Sequence, residues 1–444
     1  MQIKHSREGI TTNEATLFIS LSCKVSKAPT AGHEYWLHHG FLKYFQSLPN
    51  VQAVLVGPAS EESEFVHGLL KFGWKQRAFS RFWLLAGLES DFERVVTLKN
   101  QTRHRMDSQP SGARIQTVYH FYEGGFREFA LALKLAREDS DSILLFNFNL
   151  TDPWHLIFGN GKNYLGQFCA RQVERFKQKG NVQLFAETYA NAQLASNWLG
   201  TTVLPYPLFS VLEPDAMVAQ RHKKVVSFFP NGKSEWGICV ESAKVLKGKL
   251  PPDAAFLINP RWGFMPSEEE ILDCNRLGIE VETGALDRRA YVKLFERSKV
   301  CVFPYFTDYY RKSSSGRLLD AAVAECVSVV PKGTSLADEV TRNKWGEIAV
   351  SNSVTDLVDA TCRAWSTQIT RSSKPTTAWA AKVLLDSCSD VIANETQYFK
   401  FSMWWVVLLN LAIGPKAFLS RLLDSLGFAD LYLALKKSKP KIGK

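Results

Sequence analysis

The sequence predicts an α/β protein with two domains, each built on a parallel sheet that helices cover on both faces. Three observations support this class. The chain has 444 residues, too many for one ordinary hydrophobic core. Short apolar runs rich in β-branched residues alternate with helical patterns along most of it. Its composition, with 45% hydrophobic and 22% charged residues, is that of a folded globular protein.

The first half reads as a series of strand, loop and helix units. The predicted strands are Thr16–Ser22, Val51–Val56, Ile115–His120, Ile143–Phe148, Val182–Phe185 and Val203–Pro207, and the predicted helices are His33–Phe45, Leu88–Lys99, Phe126–Arg137 and Ala190–Trp198. Residues 71–109 give the weakest pattern. Three prolines, Pro205, Pro207 and Pro214, then mark a connection. The first domain is therefore expected to cover residues 1–210.

The second half repeats this alternation. The predicted strands are Lys224–Phe229, Ala255–Ile258, Glu280–Glu282, Lys299–Pro304 and Val327–Pro331. A loop is expected over Pro230–Gly237, with a helix from there to about Leu246, and a further helix over Asp287–Arg297. We expect a second domain over residues 211–375 and a closing helix with an apolar, lysine-rich tail over residues 376–444.

The segment after the strand Lys299–Pro304 carries the strongest functional signal. Ser313–Gly316 precedes an apolar helical pattern that runs from Leu318 to Ala324. The first N–H groups of a helix have no intrahelical partner and carry partial positive charge, so they bind anions. Basic residues flank the segment: Arg311, Lys312 and Arg317. We therefore expect a phosphate to bind at Lys312, Ser313, Ser314, Ser315 and Gly316.

Asp320 lies about one turn into the same predicted helix. An ionised carboxylate only accepts hydrogen bonds and repels phosphate, so it suits the hydroxyls of a ribose. A second strand and loop follow at Val327–Ser335, and open α/β sheets bind ligands at the carboxyl ends of strands. Together these features predict a nucleotide sugar as ligand. The alternative is that the serine and the acid only stabilise the helix, an effect of about 1 kcal/mol each.

These motifs resemble those of the group 1 (GT4-like) retaining glycosyltransferases, which use nucleotide sugars. The resemblance covers about residues 14–370 and rests on the loop Asn231–Gly237, the segments Ile279–Gly284 and Val300–Pro304, the Ser-Gly form of the phosphate loop at Ser315-Gly316, and Thr334–Glu339. It implies the GT-B fold, in which two Rossmann-like domains face each other across a cleft. The first domain would serve the acceptor and the second the donor.

The resemblance also assigns residues to the donor. In the family, an Arg and a Lys of the first loop hold the pyrophosphate, and these positions fall on Asn231 and Trp236 here. Lys233 and Arg261 are then the expected phosphate cations. The first of two family acids falls on Lys312 and the second on Asp320. The loop at Gly284 would meet the nucleobase through its backbone.

In the first half, the resemblance rests on two positions. Gly32 lies where the family has a glycine loop against the donor phosphates, and His120 ends a strand where some members carry a functional histidine. The near-neutral pKa of histidine suits contact with sugar or acceptor, although a lone histidine beside tyrosines is more often structural.

The implied reaction transfers a sugar from a UDP- or GDP-linked donor to an acceptor hydroxyl, with retention and without a metal ion or other cofactor. Lys233, Arg261 and the backbone amides of Ser313–Gly316 would stabilise the leaving diphosphate.

Three other interpretations stay open. Asp139-Ser140-Asp141 spells the D-x-D of metal-dependent glycosyltransferases, but it lies between a helix and a strand, at the opposite edge of the sheet from the predicted site. A nucleotide-sugar 2-epimerase shares the two-domain architecture but needs further acid and base carboxylates in the cleft. A non-catalytic GT-B-like binding protein would account for the changed residues at Asn231, Trp236 and Lys312.

Charge and cysteine content limit the binding partners and the cellular location that we expect. The net charge is +10, but five lysines lie in the last nine residues, KKSKPKIGK, and no basic stripe with interleaved aromatics predicts nucleic-acid binding. The eight cysteines form no C-x-x-C pair and no signal peptide precedes the first strand, so we expect a reducing, cytoplasmic location.

The end of the chain indicates a membrane surface. Phe401–Pro415 is apolar but shorter than the roughly 20 residues that span a bilayer. With the lysine-rich end, it predicts peripheral attachment to an anionic membrane and an acceptor such as a lipid-linked glycan, a cell-envelope glycan or an exopolysaccharide. Alternatively, a helix over Thr377–Phe399 crosses back to the first domain and the tail packs on protein.

Overall fold

The computed structural model describes the chain in segments. They are residues 14–21, 41, 44–45, 47–48, 51–58, 69–72, 83–107, 114–124, 126–139, 141–148, 181–210, 212, 223–260, 264–284, 286–305, 309–311, 313–367 and 375–389. Within them, two parallel sheets organise two α/β halves, which confirms the predicted class.

The first sheet has seven strands, all paired in parallel, in the order β3-β2-β1-β4-β5-β6-β7. The strands are β1 (Glu14–Leu21), β2 (Val51–Pro58), β3 (Leu69–Phe72), β4 (Arg114–Gly124), β5 (Ile143–Phe148), β6 (Val182–Ala186) and β7 (Leu204–Pro205). The helices are α1 (Trp83–Asp107), α2 (Phe126–Glu138) and α3 (Tyr189–Leu199). Strand β5 is buried along its whole length, as expected for a central strand covered on both faces.

The second sheet has six strands in the order β10-β9-β8-β11-β12-β13, again all parallel. The strands are β8 (Val225–Phe228), β9 (Ala255–Ile258), β10 (Ile279–Val281), β11 (Ser298–Val302), β12 (Val327–Pro331) and β13 (Gly346–Ala349). The helices are α4 (Lys233–Lys247), α5 (Glu268–Arg276), α6 (Arg288–Arg297), α7 (Gly316–Val323), α8 (Ser335–Asn343) and α9 (Val354–Ser366).

Both sheets therefore follow the strand order of dinucleotide-binding domains, in which the third, second and first strands lie on one side of the fourth. The order reverses between β1 and β4 in the first sheet and between β8 and β11 in the second. Such a reversal leaves a crevice outside the carboxyl ends of the two strands, because their loops lead to helices on opposite faces.

The closing helix α10 (Thr377–Ser389) returns to the first domain, as the alternative for the chain end predicts. Its Ala380, Ala381 and Leu384 are fully buried in one cluster with Phe18 and Phe45 of the first half. Of the helices in the described segments, none is long and apolar enough to cross a membrane. The tail over residues 401–444 lies outside those segments, so its predicted membrane attachment stays a prediction, as do the domain limits at 210 and 375.

Four elements were not predicted: β3, α5, β13 and α9. Helix α5 shows the reason, since Cys274 is its only buried residue and few residues of its sequence EEEILDCNR are apolar. The predicted loop over Pro230–Gly237 was too long, because α4 already begins at Lys233. That shift makes Lys233 the first residue of a helix.

Candidate functional site

The candidate site lies at the strand-order reversal of the second sheet. Strand β8 leads into α4, and its neighbour β11 leads through a loop into α7, so two helices begin at the same edge of the sheet. Strands β9 and β12 flank them and end at Ile258 and Pro331. This edge therefore gathers free backbone N–H groups from two helix starts, the arrangement expected for an anion.

The first residue of α8 holds the serine loop at the start of α7 through hydrogen bonds. Ser313 is 1% exposed, and its carbonyl accepts from the Ser335 hydroxyl at 2.5 Å. The same hydroxyl donates to the Tyr310 carbonyl at 3.0 Å. Ser315 is the N-cap of α7 in extended backbone, and its side chain makes no capping bond. The helix-capping alternative therefore does not account for that serine.

A carboxylate from the first domain lies on this loop. Glu187 follows β6, and its Oε1 accepts from the Ser314 hydroxyl at 2.6 Å and from the Ser314 N–H at 3.3 Å. The two residues are separated by 127 positions, so no local pattern could have paired them. The contact shows that the loop accommodates an oxyanion, here one that belongs to the protein.

Arg317 places a positive charge between the ends of two strands. Its Nη1 donates to the Asn259 carbonyl at 3.0 Å and its Nη2 to the Pro260 carbonyl at 3.4 Å. The guanidinium also lies over the Phe229 ring, 5.2 Å from the ring centre. It is half-buried, with its charge at the carboxyl ends of β8 and β9. Sequence reasoning noted this charge but chose Lys233 and Arg261 as the principal cations.

The loop after β8 leads to Asn231 and Trp236, the positions at which the resembling family has its two phosphate-binding cations. Asn231 donates from its Nδ2 to the Tyr310 hydroxyl at 2.8 Å, so it ties α4 to the loop after β11. Trp236 is 4% exposed and packs in the core against Phe264. Neither side chain is cationic, and Trp236 is part of the buried core of the second half. Lys233, in contrast, is exposed at the start of α4.

Glu235 caps this second helix start with its own carboxylate. Its Oε2 accepts from the Asn231 N–H at 2.6 Å. Burial raises the pKa of the Glu235 carboxyl, while the backbone donors of Asn231 and Gly232 lower it in part. The Glu235 carboxylate thus uses N–H groups that precede α4, and Lys233 adds a positive charge at the helix start itself.

Asp320 lies at the junction of the two domains. It is fully buried, and its two oxygens accept from the Ser210 hydroxyl and the Tyr291 hydroxyl, both at 2.6 Å. Ser210 also donates its N–H to the Pro375 carbonyl at 2.8 Å, so both chain crossings between the domains meet here. Burial, and next the nearby Asp320 charge, raise the pKa of Tyr291 well above its usual value. The ribose contact expected for Asp320 stays a prediction, and its contacts are those of a structural anchor.

His120 lies within the first domain rather than at its surface. It is 1% exposed, with Nδ1 at 3.1 Å from the Ser20 hydroxyl and Nε2 at 3.0 Å from the Tyr206 hydroxyl. The rings of Phe41 and Tyr206 lie nearly parallel to the imidazole, each with its centre 5.8 Å away. Such an environment is that of a structural histidine. The catalytic role stays a prediction that these contacts do not support.

The opposite end of the crevice carries the loop predicted to meet a nucleobase. Gly284 has φ +86°, a left-handed conformation that favours glycine, and a Cβ there would meet nothing within 4 Å. Asn259 is 1% exposed and donates from Nδ2 to the Glu282 carbonyl at 2.8 Å. Its Oδ1 has no hydrogen-bond partner among the described residues. Asn259 therefore fixes the loop before Gly284 from within the core, where its side chain is closed to solvent.

Three predicted site residues, Gly32, Arg261 and Lys312, lie outside the described segments. The D-x-D residue Asp139 is inside them and is already engaged. It accepts from Lys99 at 2.5 Å, from the Tyr119 hydroxyl at 2.7 Å and from the Ser142 hydroxyl at 2.8 Å. The described residues also contain no group of three or more potential metal ligands. Asp139 therefore acts as a structural anchor at the amino ends of the strands.

Comparison with known proteins gives a fold and no family. No family model matches the chain, and no curated protein matches it in sequence. Among solved structures, a glycosyltransferase from Rickettsia africae shares 9% identity at a TM-score of 0.55, covering 92% of this chain and 99% of that one. A UDP-GlcNAc 2-epimerase from Neisseria meningitidis, solved with UDP-GlcNAc, shares 11% identity at 0.50, covering 84% and 99%. The N-terminal domain of a Candida albicans trehalose-6-phosphate phosphatase shares 9% at 0.50, covering 92% and 97%.

This chain has the fold of those structures. Two Rossmann-like α/β halves joined by a returning helix form the GT-B architecture, as the resemblance implies. At such low identity, the likeness carries the fold alone.

Proposed function

We propose that the protein is a GT-B glycosyltransferase that transfers a sugar from a nucleotide-sugar donor to an acceptor hydroxyl. One observation carries the proposal: at the strand-order reversal of the second sheet, the N–H and hydroxyl of Ser314 before α7 already hold a carboxylate oxygen. A nucleotide diphosphate is the ligand whose charge and size suit that loop together with Arg317 and Lys233.

The proposed roles follow from position. The Ser313–Gly316 loop and Arg317 hold the diphosphate, and Lys233 adds positive charge from the neighbouring helix start. The Gly284 loop, which Asn259 holds through the Glu282 carbonyl, faces the nucleobase. Arg261 and Lys312 would add charge to the same diphosphate. As the leaving group gathers negative charge, these donors stabilise it without needing a metal ion, and the reaction retains configuration.

The acceptor and the location belong to the same proposal. The cleft between the domains receives the acceptor, which we take to be a lipid-linked glycan, a cell-envelope glycan or an exopolysaccharide. The basic, apolar tail would hold the enzyme at the cytoplasmic face of an anionic membrane. The proposal includes no nucleic-acid partner.

The test is a binding screen of the purified full chain against UDP, GDP, ADP and their sugars in EDTA, by saturation-transfer NMR and thermal shift. Ser315→Trp fills the loop, Lys233→Ala removes the exposed charge, and Asp253→Ala serves as control because Asp253 pairs with Lys224 at an exposed site remote from the loop. We expect one nucleotide to bind, with binding abolished by Ser315→Trp, weakened by Lys233→Ala and unchanged in the control. Absence of binding to every nucleotide would refute the proposal and leave a GT-B-shaped binding protein.

One observation favours a second candidate, a nucleotide-sugar 2-epimerase. Such an enzyme needs carboxylates at the cleft for proton transfer, and Glu187 brings one to the proposed diphosphate loop. The two activities separate cleanly by product. Incubation of the chain alone with UDP-GlcNAc in deuterated buffer would yield the 2-epimer with deuterium incorporated if the protein is an epimerase, and neither change if it is a transferase.

A further inference from the structure

Glu187 carries a negative charge from the first domain onto the oxyanion-binding loop of the second. Both hydrogen bonds from Ser314, at 2.6 and 3.3 Å, go to the same carboxylate oxygen. The position of Glu187 is set by its neighbour, since Thr188 is the buried N-cap of α3 and accepts from the Asn191 N–H at 3.1 Å. The cap stabilises the start of α3, and with it the turn that presents the carboxylate to the loop.

A second contact starts from the same turn. Tyr189, the first residue of α3, lies under the Arg342 guanidinium of α8, 4.3 Å from the ring centre. The turn therefore holds the second domain at two points, Glu187 on Ser314 and Tyr189 on Arg342. We call this pair of contacts the clasp. It spans from the carboxyl end of β6 to two helices of the donor half.

The Glu187 carboxylate and a bound diphosphate would need the same hydrogen-bond donors. A phosphate oxygen at the start of α7 would take the Ser314 N–H and hydroxyl, which now serve the Glu187 carboxylate. Two anions cannot share them, because like charges a few ångströms apart repel strongly in a partly buried site. A carboxylate is also a weaker counterpart for the loop than a diphosphate, which carries more charge and more acceptor oxygens.

We propose that Glu187 is an internal competitor for the donor diphosphate, so that nucleotide binds at Ser314 only when the Glu187 carboxylate releases the Ser314 donors. The inference rests on the proposed function and adds its regulation: binding of the donor displaces the carboxylate from the Ser314 N–H and hydroxyl. Glu187 and the donor therefore occupy these groups alternately, and the fraction of molecules in which Glu187 has released them sets the apparent affinity for the donor.

The experiment compares wild type with Glu187→Ala, Glu187→Gln and Tyr189→Ala. Isothermal titration with UDP and GDP measures affinity, and amide hydrogen exchange of peptides that cover residues 313–316 reports on the loop without any ligand. Glu187→Ala should bind about tenfold more tightly, equivalent to about 1.4 kcal/mol. Glu187→Gln should gain less, since a neutral acceptor still occupies the donors. Tyr189→Ala removes a contact without freeing them and should stay within about twofold.

In the ligand-free protein, exchange at the loop should be faster in Glu187→Ala than in wild type, because the Ser314 N–H loses its acceptor. Unchanged or weaker nucleotide binding in Glu187→Ala, while wild type binds, would overturn the competitor role and leave the proposed function standing. Weaker binding would make Glu187 a direct ligand contact. Absence of binding in all four proteins would overturn both, whatever the exchange rates show.

Discussion

Replacement of Asp320 by alanine should destabilise the junction between the domains. The carboxylate is fully buried and accepts from Ser210 and Tyr291, both at 2.6 Å. A hydrogen bond to a charged group contributes about 1.5–3 kcal/mol, so two give roughly 3–6 kcal/mol. Part of this loss is offset, because the variant no longer carries the desolvation cost of a buried carboxylate. The expected net loss is about 2–4 kcal/mol.

The assay is thermal unfolding monitored by differential scanning calorimetry. For a domain of this size, about 1 kcal/mol shifts Tm by about 2–4 °C, so the transition should fall by roughly 5–15 °C. Tyr291→Phe removes only one donor and should lose about 1–1.5 kcal/mol. The double variant should lose less stability than the sum of the two single losses, since both single changes delete the same hydrogen bond.

A Tm for Asp320→Ala within 2 °C of wild type would refute the anchor role. If that variant keeps its stability and instead loses nucleotide affinity by tenfold or more, the ribose contact predicted from the sequence is right. Strict additivity in the double variant would show that the Tyr291 bond contributes nothing through Asp320.

Three further predictions follow from buried side chains. His120→Phe should lower Tm, because the buried hydroxyls of Ser20 and Tyr206 lose their hydrogen-bond partner, while nucleotide affinity stays within twofold. An unchanged Tm together with lost turnover would instead support the catalytic role. Trp236→Lys should not restore a phosphate cation but cost about 3–5 kcal/mol of stability by emptying the core; tighter nucleotide binding at unchanged Tm would contradict this. Glu235→Gln should gain stability over wild type as pH rises above about 4.5, because the raised pKa makes the folded state bind the proton more tightly; equal Tm profiles from pH 4 to 8 would contradict it.

The agreement between sequence and fold is best where a strand is buried on both faces. The predicted strands Ile143–Phe148, Ala255–Ile258 and Val327–Pro331 match β5, β9 and β12 at both ends. Such strands read as continuous apolar runs because both faces pack on helices. Helix α1 is far longer than predicted, since its sequence has weak amphipathic contrast and is rich in polar residues.

The serine loop shows how much of the candidate site is local. Its residues are consecutive, its helix starts at Gly316 and its strand ends at Val302, so the preference for an oxyanion follows from the chain order alone. Arg317 is part of the same local pattern. Its partners at Asn259 and Pro260 are not, because they come from another strand end.

The sequence by itself determined the two-domain α/β class, the succession of most elements and the serine-rich start of α7 where an anion is predicted to bind, because each depends on residues close together in the chain. Only the tertiary structure decided what those residues face. It brought Glu187 to Ser314 across 127 positions and Ser210 to Asp320 across 110, and it buried Trp236 and His120. The physical reason is that helix starts and strand ends are local, whereas the partner of a polar side chain depends on how sheets pack and where the chain crosses between domains.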